Sequence, residues 1–281
     1  MKHQSFIIAS IIGILAISCG KKKNDDVVCC TEYLLGNWVS IPALPGAGRY
    51  YASSFVIGDS AFVIGGFFST SGQATVLNDV WSFNPSGNKG TGSWTQMAPI
   101  PVGRGSAVAF SIGNKGYVGT GSTAPLIAAS GTSLNDMWEY DPATNKWIKK
   151  AAVPGGARFA AIGFGIGNLG YVGTGAIVDN AISPGTYAPA KDFYSFDPTQ
   201  GDSGVWVQES SMINDKRYAA QSFVYNNQGY VVGGMNDGGK ASVDFEVFTP
   251  GAAQGAGSWK VLTPITPQAD SAKTSGYTPD L

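Results

Sequence analysis

The chain has 281 residues, a formal net charge of -1, 13% charged residues and 43% hydrophobic residues. That balance excludes the basic surface a nucleic-acid binder needs to neutralise phosphates, and it excludes a polar disordered chain, because the apolar fraction can fill a core. With Gly 39 and Pro 15 and no sustained helical period, the composition points to a turn-rich, all-β protein.

The leader is the first element. Residues 1–18 join a short basic start, MKHQ, to the apolar run SFIIASIIGILAIS, which is brief for a bilayer span and reads as an export signal. Its end, LAISC, resembles the lipobox of bacterial lipoproteins, with Ala16 where a leucine is commoner. The resemblance implies cleavage before Cys19, lipid attachment at Cys19 and a hydrophilic tether over residues 19–35 that contains GKKKNDD. It also implies export and anchoring in the bacterial cell envelope; the outer membrane is the expected placement, with the inner membrane left open. An ordinary secretory peptide with a chance cysteine is the alternative. Cys29 and Cys30 are adjacent, have no zinc-type spacing and receive no function.

Beyond the tether the chain repeats itself. After the strand NWVSIPALP, which carries Trp38, four units follow over about 50–98, 105–152, 159–209 and 218–263. An arginine opens each one: Arg49, Arg104, Arg158 and Arg217. A strand then runs through a tight turn into a glycine-ended strand, seen as VIGG, VGTG, VGTG and VVGG. Gly65, Gly66, Gly121, Gly175, Gly233 and Gly234 close these runs, with Thr120 and Thr174 in a glycine's place. A variable connection leads to an aromatic strand introduced by Asp79, Asp136, Asp192 or Asp244, and a last strand carries Trp94, Trp147, Trp206 or Trp259. Four short strands at a period a little over fifty residues predict antiparallel units stacked radially as propeller blades.

The paired-glycine strand, the later aromatic strand and the spaced tryptophan resemble the kelch repeat, the unit of β-propellers such as the central domain of galactose oxidase. The resemblance covers roughly residues 36–270 of a domain taken as 36–281. It implies that the repeated glycines let backbones approach near a crowded axis, and that Phe62, Tyr117, Tyr171 and Tyr230 pack on their own blade's tryptophan. Trp38 forms an orphan outer strand, whereas SAKTSGY at 271–277 could begin a partial fifth blade. Four complete blades plus one orphan strand predict an incomplete ring: a truncated product, an open arc, or two copies completing each other.

The chemistry of this repeat is sparse. The sole histidine is His3, in the leader, so histidine-based copper, zinc and nucleophilic machinery has no basis, and neither metal nor cofactor is expected. No acid-base pair stands out, so no catalytic residue is assigned. Some kelch propellers interconvert sialic acid anomers with little more than acid-base and arginine groups, and a carbohydrate-active propeller of that kind is the alternative to a non-catalytic binding or scaffold module. Arg49, Arg104, Arg158 and Arg217 carry two readings. They form structural ion pairs with the recurrent aspartates, or they converge on the mouth and hold an anionic glycan or protein ligand. The connections at 67–78, 122–135 and 176–191 should emerge on one face, as a recognition surface or as mere solvated links.

Overall fold

The computed structural model describes residues 40–125, 133–178 and 186–264. The leader, Cys19, the tether, Cys29, Cys30, Trp38 and the run at 271–277 lie outside the described residues. Among the described residues no helix is long and apolar enough to cross a membrane.

Sixteen strands form four antiparallel sheets, each ordered as the chain runs. The first sheet holds β1 (Ser53–Ile57), β2 (Ser60–Ile64), β3 (Val80–Asn84) and β4 (Ser93–Met97). The second holds β5 (Val108–Ile112), β6 (Lys115–Gly119), β7 (Met137–Asp141) and β8 (Lys146–Lys150). In the third are β9 (Ile162–Ile166), β10 (Leu169–Gly173), β11 (Phe193–Asp197) and β12 (Val205–Gln208). The fourth has β13 (Gln221–Tyr225), β14 (Gln228–Val232), β15 (Phe245–Thr249) and β16 (Ser258–Val261).

Local chemistry sets each hairpin. The first two strands of every sheet are joined by two residues, and the first of these is left-handed at Gly58, Gly113, Gly167 or Asn226, as a tight hairpin of matching twist requires. Two of the connections between second and third strands contain strand pairs of their own. Phe67–Thr70 pairs with Gln73–Val76, and Ala176–Val178 pairs with Tyr187–Pro189. In the first of these, Ser71 and Gly72 both take positive φ and close the turn.

Three apolar clusters bind the sheets in sequence, first to second, second to third and third to fourth. Among the described residues no such cluster joins the fourth sheet to the first. Each interface follows one rule: a phenylalanine of the inner strand lies over a glycine of the next sheet's second strand. Phe55, Phe110 and Phe164 cover Gly116, Gly170 and Gly229, where any Cβ would overlap the ring. These glycines are therefore space requirements, and removing a side chain at each lets the sheets close.

The tryptophans pack differently from the expectation. Trp94, Trp147, Trp206 and Trp259 lie on Phe83, Tyr140, Phe196 and Phe248 of the adjacent third strand, with ring centroids 4.9, 4.8, 4.7 and 5.1 Å apart. Phe62, Tyr117, Tyr171 and Tyr230 instead stack on the first-strand phenylalanines. Strand parity is the reason, because Trp94 sits directly opposite Phe83 while Phe62 sits opposite Phe55.

The tryptophans also tie neighbouring repeats together. The indole N–H of Trp147 donates to the Ala98 carbonyl, that of Trp206 to Ala151 and that of Trp259 to Ser210, at 2.9, 2.9 and 2.8 Å. Each acceptor lies four residues after the previous tryptophan. Trp94 follows the rule by donating to Pro42, four residues after Trp38, at 2.9 Å. The described part of the expected orphan strand, residues 40–45, has no strand pairing of its own, but Pro42 performs the task of a residue that ends a fourth strand.

Candidate functional site

Each arginine reaches from the turn before its inner strand to the aspartate before its third strand. Arg49 and Asp79, Arg104 and Asp136, and Arg158 and Asp192 form two-pronged pairs with N–O distances of 2.6 to 2.8 Å. The arginines are buried and the aspartates keep an edge toward water. The same guanidinium groups donate to the carbonyls that end the second strands, at Gly65, Thr120 and Thr174. Fork-to-fork geometry plus a carbonyl uses the planar donors of arginine as no lysine could.

The carboxylates receive a third donor. Trp81 and Trp138 donate indole N–H groups to Asp79 and Asp136 at 2.7 Å. Burial pushes both carboxyls up, but the arginine hydrogen bonds and charge, with the indoles, outweigh it and hold them below the ordinary carboxylate range. Of the two readings for the arginines, the structure thus displays ion pairing. Among the described residues none of the four lines the central cavity, and apart from the Arg49 Nε, which has no partner there, the guanidinium donors pair with neighbouring groups.

The fourth unit departs from this plan. Two residues past Asp244, where Trp81, Trp138 and Tyr194 stand in the other units, the chain has Glu246. Glu246 is fully buried. It accepts from the Ile213 and Asn214 amides at 2.9 and 3.3 Å and from Arg217 at 3.2 Å, while Arg217 holds Asp244 at 2.8 Å by one nitrogen. Sequence reasoning missed Glu246; the signal was the break in an otherwise aromatic column.

The inner strands converge on a cavity of about 560 Å³. Its wall holds the phenols of Tyr51, Tyr187 and Tyr218, the hydroxyls of Ser54 and Ser106, the Gln221 carboxamide and Met235, over a floor of alanine, valine and isoleucine. Among the described residues no charged side chain lines it. The Tyr187 hydroxyl 3.5 Å away, and then burial, push the Tyr218 phenol up to about 12, so it keeps its proton at neutral pH. Tyr51, Ser106, Ala160 and Ala219 all have φ between 50 and 55°, and their backbones form a relay around the cavity. Ser106 donates to the Tyr51 carbonyl, Ala160 to Ser106, and Ala219 to Ala160, at 2.8 to 2.9 Å. A second hollow of about 340 Å³ mixes Lys191 and Lys216 with Asp215 and Asp237. Among the described residues no group of three or more histidine, cysteine or acidic side chains could hold a metal ion.

Radially repeated four-stranded sheets with paired glycines and a recurrent arginine–aspartate pair define a kelch-type β-propeller. The kelch motif family matches residues 48–101, and the chain is a kelch-repeat β-propeller protein. It is 26% identical over 219 residues to the Kelch-like protein terF of Aspergillus terreus, a match covering 74% of this chain and 44% of that protein. It is 32% identical over 111 residues to the N-acetylneuraminate epimerase of Escherichia coli strain K12, covering 39% of this chain and 29% of that enzyme. The chain thus spans less than half the length of these relatives. The solved structure of YjhT shares the fold with a TM-score of 0.51 at 18% identity, covering 76% of this chain and 85% of that one.

Proposed function

We propose that the protein is a cell-envelope lipoprotein, anchored through Cys19 at the outer membrane, whose propeller is a non-catalytic module that binds a glycan or a glycan-bearing protein in the central cavity. One observation carries this reading: the cavity presents phenols, hydroxyls and a carboxamide over an apolar floor, with no charged group among the described residues of its lining. Such a lining hydrogen-bonds to hydroxyls and stacks on sugar faces, and among the described residues it includes no carboxylate or imidazole. An uncharged sugar fits it better than the anion that free arginines would have favoured.

The experiment is a glycan array on the purified protein, with Tyr218→Ala as the comparison. Binding of neutral glycans that falls at least about tenfold in the variant supports the reading, on the scale of one or two lost hydrogen bonds and a stacked ring. Binding to no glycan, or equal binding by both forms, refutes it. A second reading, sialate mutarotation, draws on the 111-residue likeness to N-acetylneuraminate epimerase. Catalysed exchange of sialic acid anomers, followed by NMR, would replace the first reading with the second. Lipid attachment is tested separately by Cys19→Ser, which should release the protein from membranes.

A further inference from the structure

The second hollow, of about 340 Å³, takes its walls from the third and fourth units, at positions where the repeat breaks. Before the other three arginines the chain has Gly46-Ala47-Gly48, Pro101-Val102-Gly103 and Gly155-Gly156-Ala157; before Arg217 it has Asn214-Asp215-Lys216. Two and three residues past Gly66, Gly121 and Gly175 stand Phe68-Ser69, Thr123-Ala124 and Ile177-Val178, against Asn236-Asp237 past Gly234. Lys191 stands where the other units have Asn78, Asn135 and Val243. Positions that carry the fold recur, so charges gathered where nothing recurs are free to serve a ligand.

Two anchors shape this hollow. The buried Glu246 carboxylate, which only the fourth unit has at its place, accepts from the Ile213 and Asn214 amides, and the Asp215 carbonyl accepts from Arg217 at 3.1 Å. The loop that carries Asn214, Asp215 and Lys216 is thereby fastened to the core. Asn236 fastens another wall, its side-chain oxygen accepting from the Gly238 and Lys240 amides, both at 3.1 Å. Among the described residues no ion pair engages Lys191, Lys216, Asp215 or Asp237, although all four line the same hollow.

The hollow and the central cavity are built from the same chain segments. Tyr187, Tyr218 and Met235 line the cavity, while Lys191, Lys216 and Asn236 line the hollow. Bridges join these segments, Ala190 to Arg217 and Tyr218 to Met235. Met235 and Asn236 are chain neighbours, with Cα atoms about 3.8 Å apart, so one oligosaccharide crossing between them can occupy both sites.

We propose that the hollow is a subsite for a sugar acid, a pyranose bearing a carboxylate, within the glycan whose neutral part occupies the cavity; this rests on the glycan-binding reading above. The Lys191 and Lys216 ammonium groups take the ligand carboxylate, and Asp215, Asp237 and the Asn214 carboxamide hydrogen-bond to its hydroxyls. An uncharged sugar would leave both ammonium groups without an anion.

The test uses oligosaccharides ending in glucuronic, galacturonic or sialic acid, each beside its carboxyl methyl ester, titrated calorimetrically into the purified full chain. At least one acid should bind about tenfold more tightly than its ester, and Lys191→Gln combined with Lys216→Gln should abolish that preference. Salt at about 1 M, where the screening length is about 3 Å, should erase it as well. Equal binding of acid and ester, or a preference that survives both lysine substitutions, would overturn the proposal and leave the neutral-sugar cavity standing. A preference that vanishes with the lysines but is unmoved by Tyr218→Ala would support the subsite and refute the cavity reading. Binding of neither acid nor ester would overturn both.

Discussion

The first three units and the fourth solve one electrostatic problem in two ways. In the first two an arginine grips an aspartate with both nitrogens while an indole two residues on donates to the same carboxylate; the third keeps the two-pronged grip and has Tyr194 at that place. In the fourth, Glu246 takes the donor's place, adds a second negative charge, and draws the guanidinium away from symmetric pairing with Asp244. The same backbone thus accommodates a neutral or an anionic third member. The charge sum is not the constant, since the fourth cluster carries one more negative charge; what recurs is that the buried arginine keeps an opposite charge and hydrogen-bond partners.

The largest effect separating the two arrangements should follow removal of the arginine. Arg217→Ala leaves two carboxylates, one of them fully buried, and should cost about 5 kcal/mol of unfolding free energy by urea titration. Arg104→Ala leaves one carboxylate with an edge in water and should cost about 3 kcal/mol. Equal losses would mean that Glu246 adds nothing to the fourth cluster. Next, Glu246→Gln keeps the shape but removes the charge, and should lose about 2 kcal/mol through weaker bonds to the Ile213 and Asn214 amides.

Acid sharpens the contrast at Asp79 and Asp136. Their folded carboxyls titrate below the unfolded value of about 3.9, so the stability they contribute is complete above that pH and is lost as pH falls through the folded values. The urea midpoint should hold level down to about pH 5 and drop below about pH 4, and Asp136→Asn should flatten part of that drop. The smallest effect should be a gain. Thr174 is a buried β-branched residue at φ 58° whose hydroxyl finds no partner among the described residues, so Thr174→Gly should add about 1 kcal/mol and raise the melting temperature.

Much of this was readable before any coordinates. Arginine, glycines, aspartate and tryptophan recur at one period, and that period alone predicts four-stranded sheets stacked side by side. The aromatic partners are not legible in the repeat, because recurrence tells which residues matter, not which face each occupies. A shift of one position along a strand moves a ring to the opposite surface, so Phe83 rather than Phe62 meets Trp94. Gly116, Gly170 and Gly229 stood in plain view inside the repeated GY pairs, yet only a ring from the preceding sheet explains them. The cavity was not legible at all. Its polar wall comes from positions that vary between units, Tyr51 against Ser106 against Ala160 and Ala219, whereas the alanines that recur beside them, Ala52, Ala107, Ala161 and Ala220, carry no polar group.

Among the described residues the indole-to-carbonyl bonds tie each unit to the segment made just before it during synthesis. A molecule fastened in this way behaves like a row of stitches when tension is applied near its C-terminal end. It should ravel stepwise, last unit first, each step releasing a length of thread about fifty residues long while the earlier part stays whole.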